Sequence, residues 1–292
     1  MVAWSGVAGR QVLITGATNG IGLAAAEELA ARGARLAVVA RSTERAALAV
    51  DRIRARAGSG AAVDVLVSDL AAQASVRRLA AEVLERYPRL EVLVNNAGAM
   101  HARRQLSEDG IELTWAVNHL APFLLTTLLL DRLTQSAPAR IVTTASDAHK
   151  GARIRFDDLN AERAYSGRGF GRYGETKLAN ILFTAELARR LEGTGVTANC
   201  FHPGLVASGF NRNNGLLMST AMSIVRPFSR TPQKGADSLV WLVDSPEAGT
   251  HNGEYVVDRR RTTPSPAAQD MGTARRLWEV SEAQTREGAA AR

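Results

Sequence analysis

Short apolar runs recur along the chain, each followed by a stretch whose apolar residues return every three or four positions. The runs are Val12-Leu-Ile-Thr15, Arg35-Leu-Ala-Val-Val-Ala40, Ala62-Val-Asp-Val-Leu-Val67, Leu90-Glu-Val-Leu-Val-Asn95, Ala139-Arg-Ile-Val-Thr-Thr-Ala145, Gly195-Val-Thr-Ala-Asn-Cys-Phe-His202 and Gly253-Glu-Tyr-Val-Val257. Near-continuous apolar runs of this length suit strands buried on both faces, as in a parallel sheet. Between them the helical period predicts helices to about Arg32, over Thr43 to Ala57, about Gln73 to Arg86, about Gly110 to Leu133, through Tyr173 to about Leu191, from Pro232 to about Val243 and over Gly272 to Ala283. Strand–helix alternation predicts an α/β fold: a doubly wound parallel sheet of about seven strands with helices on both faces. No second core, repeat or linker interrupts residues 1–292, so a single domain is expected.

Three stretches break the rhythm. Asp147 to Arg172 is polar, contains glycine and reads as an irregular excursion. Leu205 to Thr231 has weak periodicity and reads as a lid over a substrate. Pro122, inside the long fourth helix, is expected to kink it.

Composition narrows the picture. Cys200 is the one cysteine, so no intrachain disulfide forms, and no apolar run approaches a membrane span of ~18 residues. Met1 to Gly9 lacks the basic start and apolar core of a signal peptide; the expectation is a cytoplasmic protein with no integral membrane segment. The net charge of +7 raises nucleic acid as a partner, but the arginines are scattered along helices among alanines and glutamates. Only Arg259-Arg260-Arg261 is dense, so a solvated, salt-bridged surface is expected and no nucleic acid. A homo-oligomer is compatible with the sequence. His101, His119, His149 and His202 lack metal-ligand spacing with cysteines or carboxylates, so no metal is expected.

Candidate chemistry gathers where the predicted strands end. After the first strand comes Thr15-Gly-Ala-Thr-Asn-Gly-Ile-Gly22, opening directly into a helix. Backbone N–H groups of Gly16, Thr18, Asn19, Gly20, Ile21 and Gly22, together with the helix dipole, suit a dinucleotide pyrophosphate. The second strand ends in Arg41 where an enzyme preferring NAD usually carries an acid, and a guanidinium there favours the 2′-phosphate of NADP(H) over NAD(H). Asp69 and Leu70 close the third strand, where a carboxylate could meet an adenine amino group. Asn95, Ala97 and Gly98 close the fourth, where small residues let a cofactor lie against the strand end. Asn118 is costly if buried without partners. The fifth strand delivers Ser146. On the following helix Tyr173 and Lys177 stand one turn apart on one face. An ammonium about 5 Å from a phenol, at an effective dielectric of about 20, would favour phenolate by roughly 3 kcal/mol.

As a set in this order, Thr15-Gly through Gly20-Ile-Gly22, Asp69-Leu70, Asn95-Asn-Ala-Gly98, Asn118, Ser146, Tyr173-x-x-x-Lys177 and Pro203-Gly204 resemble the short-chain dehydrogenases/reductases over nearly the whole chain. Asn118-His-Leu, Ser146-x-Ala-His149, Lys177-Leu-Ala-Asn-Ile-Leu-Phe183, His202-Pro-Gly204 and Leu277-Trp-x-x-Ser281 resemble the retinol dehydrogenase-like branch. The resemblance implies a Rossmann-type NAD(P)-binding domain that interconverts a carbonyl and an alcohol on a small apolar substrate. It implies Ser146, Tyr173 and Lys177 as the catalytic core, completed by Asn118, with Pro203, Gly204 and Val206 beside the cofactor and Lys177 lowering the Tyr173 pKa. An NADP-binding regulatory protein of the same fold with little catalysis is the alternative, and the intact serine, tyrosine and lysine argue against it.

Overall fold

The computed structural model describes residues 4–206 and 229–286. Its sheet runs in the order β3-β2-β1-β4-β5-β6-β7-β8. The strands are β1 (Gln11–Thr15), β2 (Arg35–Ala40), β3 (Val63–Val67), β4 (Val92–Asn95), β5 (Ala139–Thr144), β6 (Val196–His202), β7 (Tyr255–Val257) and β8 (Arg260–Arg261). The first seven pair in parallel; β8 alone is antiparallel. This two-residue strand lies beyond the seven apolar runs of the sequence. Asp258 and Arg259, both at positive φ, turn the chain back onto β7.

Side chains alternate across the strands, and both faces are covered, which is why the runs carry no polar alternation. Val12, Ile14, Val92, Val94 and Phe201 pack with α1 (Gly20–Ala31), α2 (Thr43–Ala57) and α7 (Pro232–Asp244). Leu13, Leu93 and Ile141 pack on the other face with α3 (Gln73–Arg86), α5 (Ala121–Gln135) and α6 (Phe170–Arg190). The last helix, α8 (Met271–Thr285), docks through buried Leu277 and Trp278; the Trp278 ring meets Phe123 and Phe183.

The predicted long helix is compound. A single turn, α4 (Leu113–Trp115), leads into a π turn over Ala116–Leu120 and then into α5. The irregularity therefore begins before Pro122, where the Ala121 N–H reaches back five residues to the Ala116 carbonyl. Contrary to the expectation from the apolar runs, the stretch Leu113–Gln135 is long and apolar enough to cross a membrane by length and composition. Yet 72% of its most apolar window is buried within the fold, the burial of a core helix.

The sheet order reverses direction at β1, flanked by β2 on one side and β4 on the other, and the crevice beyond the carboxyl ends of these strands is where such sheets take ligands. Most of the expected lid, residues 207–228, lies outside the described residues. Its two ends meet: the Arg230 N–H donates to the Leu205 carbonyl at 2.7 Å, and Val206 bridges Arg230.

Candidate active site

The turn after β1 is built around contacts that no side chain could share. Gly16 sits at φ +68°, and a Cβ there would lie 2.7 Å from Ala97 Cα. On Gly22 a Cβ would lie 2.3 Å from the Gly16 carbonyl oxygen and 2.4 Å from Asn96 Nδ2. Asn19 precedes α1 in extended backbone and makes no side-chain capping bond, and the first turn of α1 carries no acid, so its leading N–H groups face the crevice with the helix dipole uncompensated. Ile21 and Val206 both lie against Gly235, which brings the start of α7 alongside the turn.

Asn96 braces this turn from β4. Its Nδ2 donates to the carbonyls of Thr15 and Gly16, each at 3.1 Å, and its Oδ1 accepts from the Thr144 hydroxyl at 3.2 Å. The Thr15 hydroxyl oxygen in turn accepts from the Asn96 and Ala97 N–H groups. Neither bracing role was singled out from sequence. The signal was present, since both are polar residues at the ends of buried strands. Neighbouring Asn95 donates to Thr126, but its buried Oδ1 has no hydrogen-bond partner among the described residues. A small apolar cleft opens here, lined by Leu70, Ala97, Val117 and Pro122 among others.

Arg41 is exposed at the end of β2 and makes no hydrogen bond or ion pair among the described residues. Asp69 is also exposed, but its carboxylate accepts the Ala71 N–H at 3.0 Å, so it shapes the turn before α3.

Ser146 follows β5 and caps a 3₁₀ turn over Asp147–His149. Two histidines hold that turn. The His149 Nδ1–H donates to the Ser146 carbonyl at 2.7 Å while its Nε2 accepts from the Ser265 N–H at 3.1 Å. His202 Nδ1 accepts the Asp147 N–H at 3.2 Å. The Ser146 hydroxyl accepts the Ala148 N–H at 3.2 Å and neighbours the Tyr173 phenol closely enough to ease its ionisation.

Lys177 is buried one turn along α6, donating from Nζ to the Thr144 carbonyl at 2.9 Å; Asn180 donates to the same oxygen at 3.2 Å. Asn118, carried on the π turn, is wholly buried and fully partnered. Its Oδ1 accepts the Ala99 N–H at 2.7 Å, and its Nδ2 donates to the Ala99 carbonyl at 2.9 Å and to Thr176 Oγ1 at 3.1 Å. Its side chain thus ties the segment after β4 to α6. Pro203 and Gly204 follow β6, with Gly204 at φ +80° beneath the Arg230 side chain.

The titration of this cluster differs from the sequence expectation. Burial pushes Tyr173 up to about 12, and the neighbouring Ser146 hydroxyl is the influence that lowers it. Burial brings Lys177 down to about 8. Lys177 Nζ lies 5.4 Å from the centre of the Tyr173 ring but is aimed at Thr144, so among these side chains loss of water outweighs the attraction of the ammonium.

Below the site lies a buried ionic cluster that the sequence did not disclose. Glu112 and Arg172 are 0% and 2% exposed. Arg172 Nε donates to Glu112 at 2.8 Å and Nη1 to Glu175 at 2.9 Å, while Glu175 also pairs with Arg155. Its members come from three separate segments, so no local spacing announces them.

A parallel sheet with a glycine-lined turn and helix at its switch point is the architecture of a dinucleotide-binding protein. The chain belongs to the short chain dehydrogenase family, whose model matches residues 10–216, and within it to the retinol dehydrogenase-like branch. Retinol dehydrogenase 14 of Mus musculus is 44% identical over 287 residues, covering 94% of this chain and 85% of that one. Retinol dehydrogenase 12 of Homo sapiens is 43% identical over 273 residues, covering 94% and 85%. Among solved structures, an uncharacterized protein from Mycobacterium Paratuberculosis superposes with a TM-score of 0.78 at 32% identity, covering 97% of this chain and 98% of its own. A short chain dehydrogenase from Burkholderia cenocepacia J2315 in complex with NADP gives 0.67 at 30%, covering 86% and 96%. Short chain dehydrogenases are oxidoreductases, and so is this protein.

Proposed function

We propose that this oxidoreductase is NADP(H)-dependent and interconverts an aldehyde or ketone with its alcohol, with Ser146, Tyr173 and Lys177 as catalytic residues and Asn118 completing the set. The observation that carries the reading is the convergence of Ser146 and Tyr173 at the carboxyl edge of the sheet, with buried Lys177 bonded to the Thr144 carbonyl behind them and the glycine turn alongside.

The residues fit a dinucleotide. The turn at Gly16, Thr18, Asn19, Gly20, Ile21 and Gly22 offers uncapped N–H groups to a pyrophosphate, and the orphaned Asn95 Oδ1 sits in the cleft with Leu70, Ala97 and Gly98 nearby for the adenosine end. Asp69 closes that end. Arg41, with no ion pair or side-chain hydrogen bond among the described residues, suits a 2′-phosphate. Lys177 and Tyr173 would hold the nicotinamide ribose, and Pro203, Gly204 and Val206 would flank the ring. The NADP complex of the Burkholderia relative supports this assignment.

NADPH, when bound, supplies a hydride to the carbonyl carbon. Tyr173, held protonated by burial, donates its phenolic proton to the carbonyl oxygen, and the Ser146 hydroxyl hydrogen-bonds that oxygen as its charge develops. The two histidines that hold the Ser146 turn keep this hydroxyl in place. Alcohol oxidation reverses these steps.

Two experiments test the reading. A panel of aldehydes, ketones and alcohols should be turned over with NADP(H). Calorimetry should show tighter binding of NADPH than of NADH, with Arg41→Asp lowering NADPH affinity at least about tenfold, as loss of a charge-assisted phosphate contact requires. Equal affinity of the parent chain for both cofactors would overturn the role of Arg41.

A further inference from the structure

The segment entering α6 contains Ser166-Gly-Arg-Gly-Phe-Gly171, and its glycines answer specific demands of shape. Gly167, Arg168 and Gly169 all have positive φ, at 61°, 51° and 82°. Arg168 has a side chain and still occupies the left-handed region, a conformation that costs energy and persists only where its surroundings over-determine it. A Cβ on Gly169 would lie 2.0 Å from the His101 carbonyl oxygen, and one on Gly171 would lie 2.7 Å from Ser166 Oγ. The Tyr165 hydroxyl closes on the same His101 carbonyl at 2.7 Å. This turn is clamped to the segment that follows the Asn95–Gly98 strand end.

What the clamp holds in place is Phe170, the first residue of α6. This residue is 59% exposed, although the turn supporting it is tightly specified. The ring centre lies 6.5 Å from that of Tyr173, inclined at 43°, within the range at which aromatic rings attract. Phe170 and Tyr173 are three residues apart on one helix face, so a molecule whose oxygen meets the Tyr173 hydroxyl comes within reach of this ring.

We propose that Phe170 is the specificity-determining residue of the pocket: its ring is the wall for the group attached to the reacting carbonyl carbon, and it selects a flat aromatic group there. The inference rests on the carbonyl–alcohol reading given above. Packed between substrate and solvent, Phe170 becomes buried when an aryl group lies against it, and the strained turn supplies the rigidity that a stacking contact requires. Touching no reacting atom, it acts on binding.

The test uses matched aryl and alkyl aldehydes and methyl ketones of equal carbon number, with NADPH, on the parent chain, Phe170→Ala and Phe170→Leu. The parent is expected to favour the aryl member of each pair. Phe170→Ala should lower the aryl-to-alkyl ratio of kcat/KM about tenfold, through KM more than kcat, with NADPH affinity and thermal midpoint retained. Phe170→Leu, which keeps apolar bulk without a ring, should restore only part of that ratio. An unchanged ratio in Phe170→Ala overturns the proposal. So does full restoration by leucine, which would make the wall merely apolar, or a fall in thermal midpoint with equal losses on both classes, which would make the role structural. A parent chain that turns over no member of the panel overturns the carbonyl–alcohol reading itself.

Discussion

The Lys177 ammonium, buried behind Thr144, holds a proton that burial has made easy to lose: its pKa falls from 10.5 to about 8. A lysine titrating lower when folded binds its proton more tightly in the unfolded chain. Its contribution to stability is therefore fully present above about 10.5 and is lost as pH falls through about 8. Near neutrality the buried cation costs on the order of 3 kcal/mol, offset in part by the bond to the Thr144 carbonyl. Lys177→Met should accordingly melt at a higher temperature than the parent at pH 7 while losing activity, and the gap should narrow as pH rises past 8. A variant that melts lower at pH 7 would show that the Thr144 bond outweighs desolvation. Tyr173 keeps its proton up to about 12, so a fall in reduction rate near pH 8 would come from Lys177. The Tyr173–Lys177 spacing was legible in the sequence; the balance of their titration was not, because it depends on how little water the fold leaves around each group.

At the scale of elements, strand ends and helix starts were readable because glycine, proline and apolar period each have a direct backbone meaning. Val12 to Thr15 followed by Gly16 read directly as a strand entering a tight glycine turn. Two features escaped for the same physical reason, that they depend on distant partners. The π turn that delivers Asn118 has no spacing signature, and Pro122, blamed for the irregularity, merely follows it. The excursion before α6 was read as irregular from its polar residues and glycines, whereas contact with the His101 carbonyl makes Gly169 obligatory. Beneath it, Glu112 accepts the N–H groups of Thr114 and Trp115 and the Arg172 guanidinium, joining the start of α4 to that of α6. Glu112→Ala would leave Arg172 buried beside one acid fewer, and a loss of about 3–5 kcal/mol is expected in denaturant unfolding. A loss below about 1 kcal/mol, the size for an exposed pair, would mean the cluster is relaxed by water.

Across the whole molecule, the sheet order brings together residues separated by most of the chain. The glycine turn after β1, the Asn95–Gly98 end of β4, Ser146 after β5 and the Tyr173–Lys177 face of α6 converge at one edge. That convergence was foreseeable from strand–helix alternation, since crossovers of one hand place every carboxyl end on the same side. The expected lid was not testable in the same way, because residues 207–228 lie outside the described residues. The central claim is that this edge performs proton transfer through Tyr173 while holding NADP(H). It is tested most directly by Tyr173→Phe, which removes one oxygen: NADPH affinity and turnover on the parent's best carbonyl substrate are measured side by side. The account predicts NADPH affinity within about threefold of the parent, the span of a single modest hydrogen bond, and turnover lower by at least ~10²-fold. Parental turnover in Tyr173→Phe would contradict it.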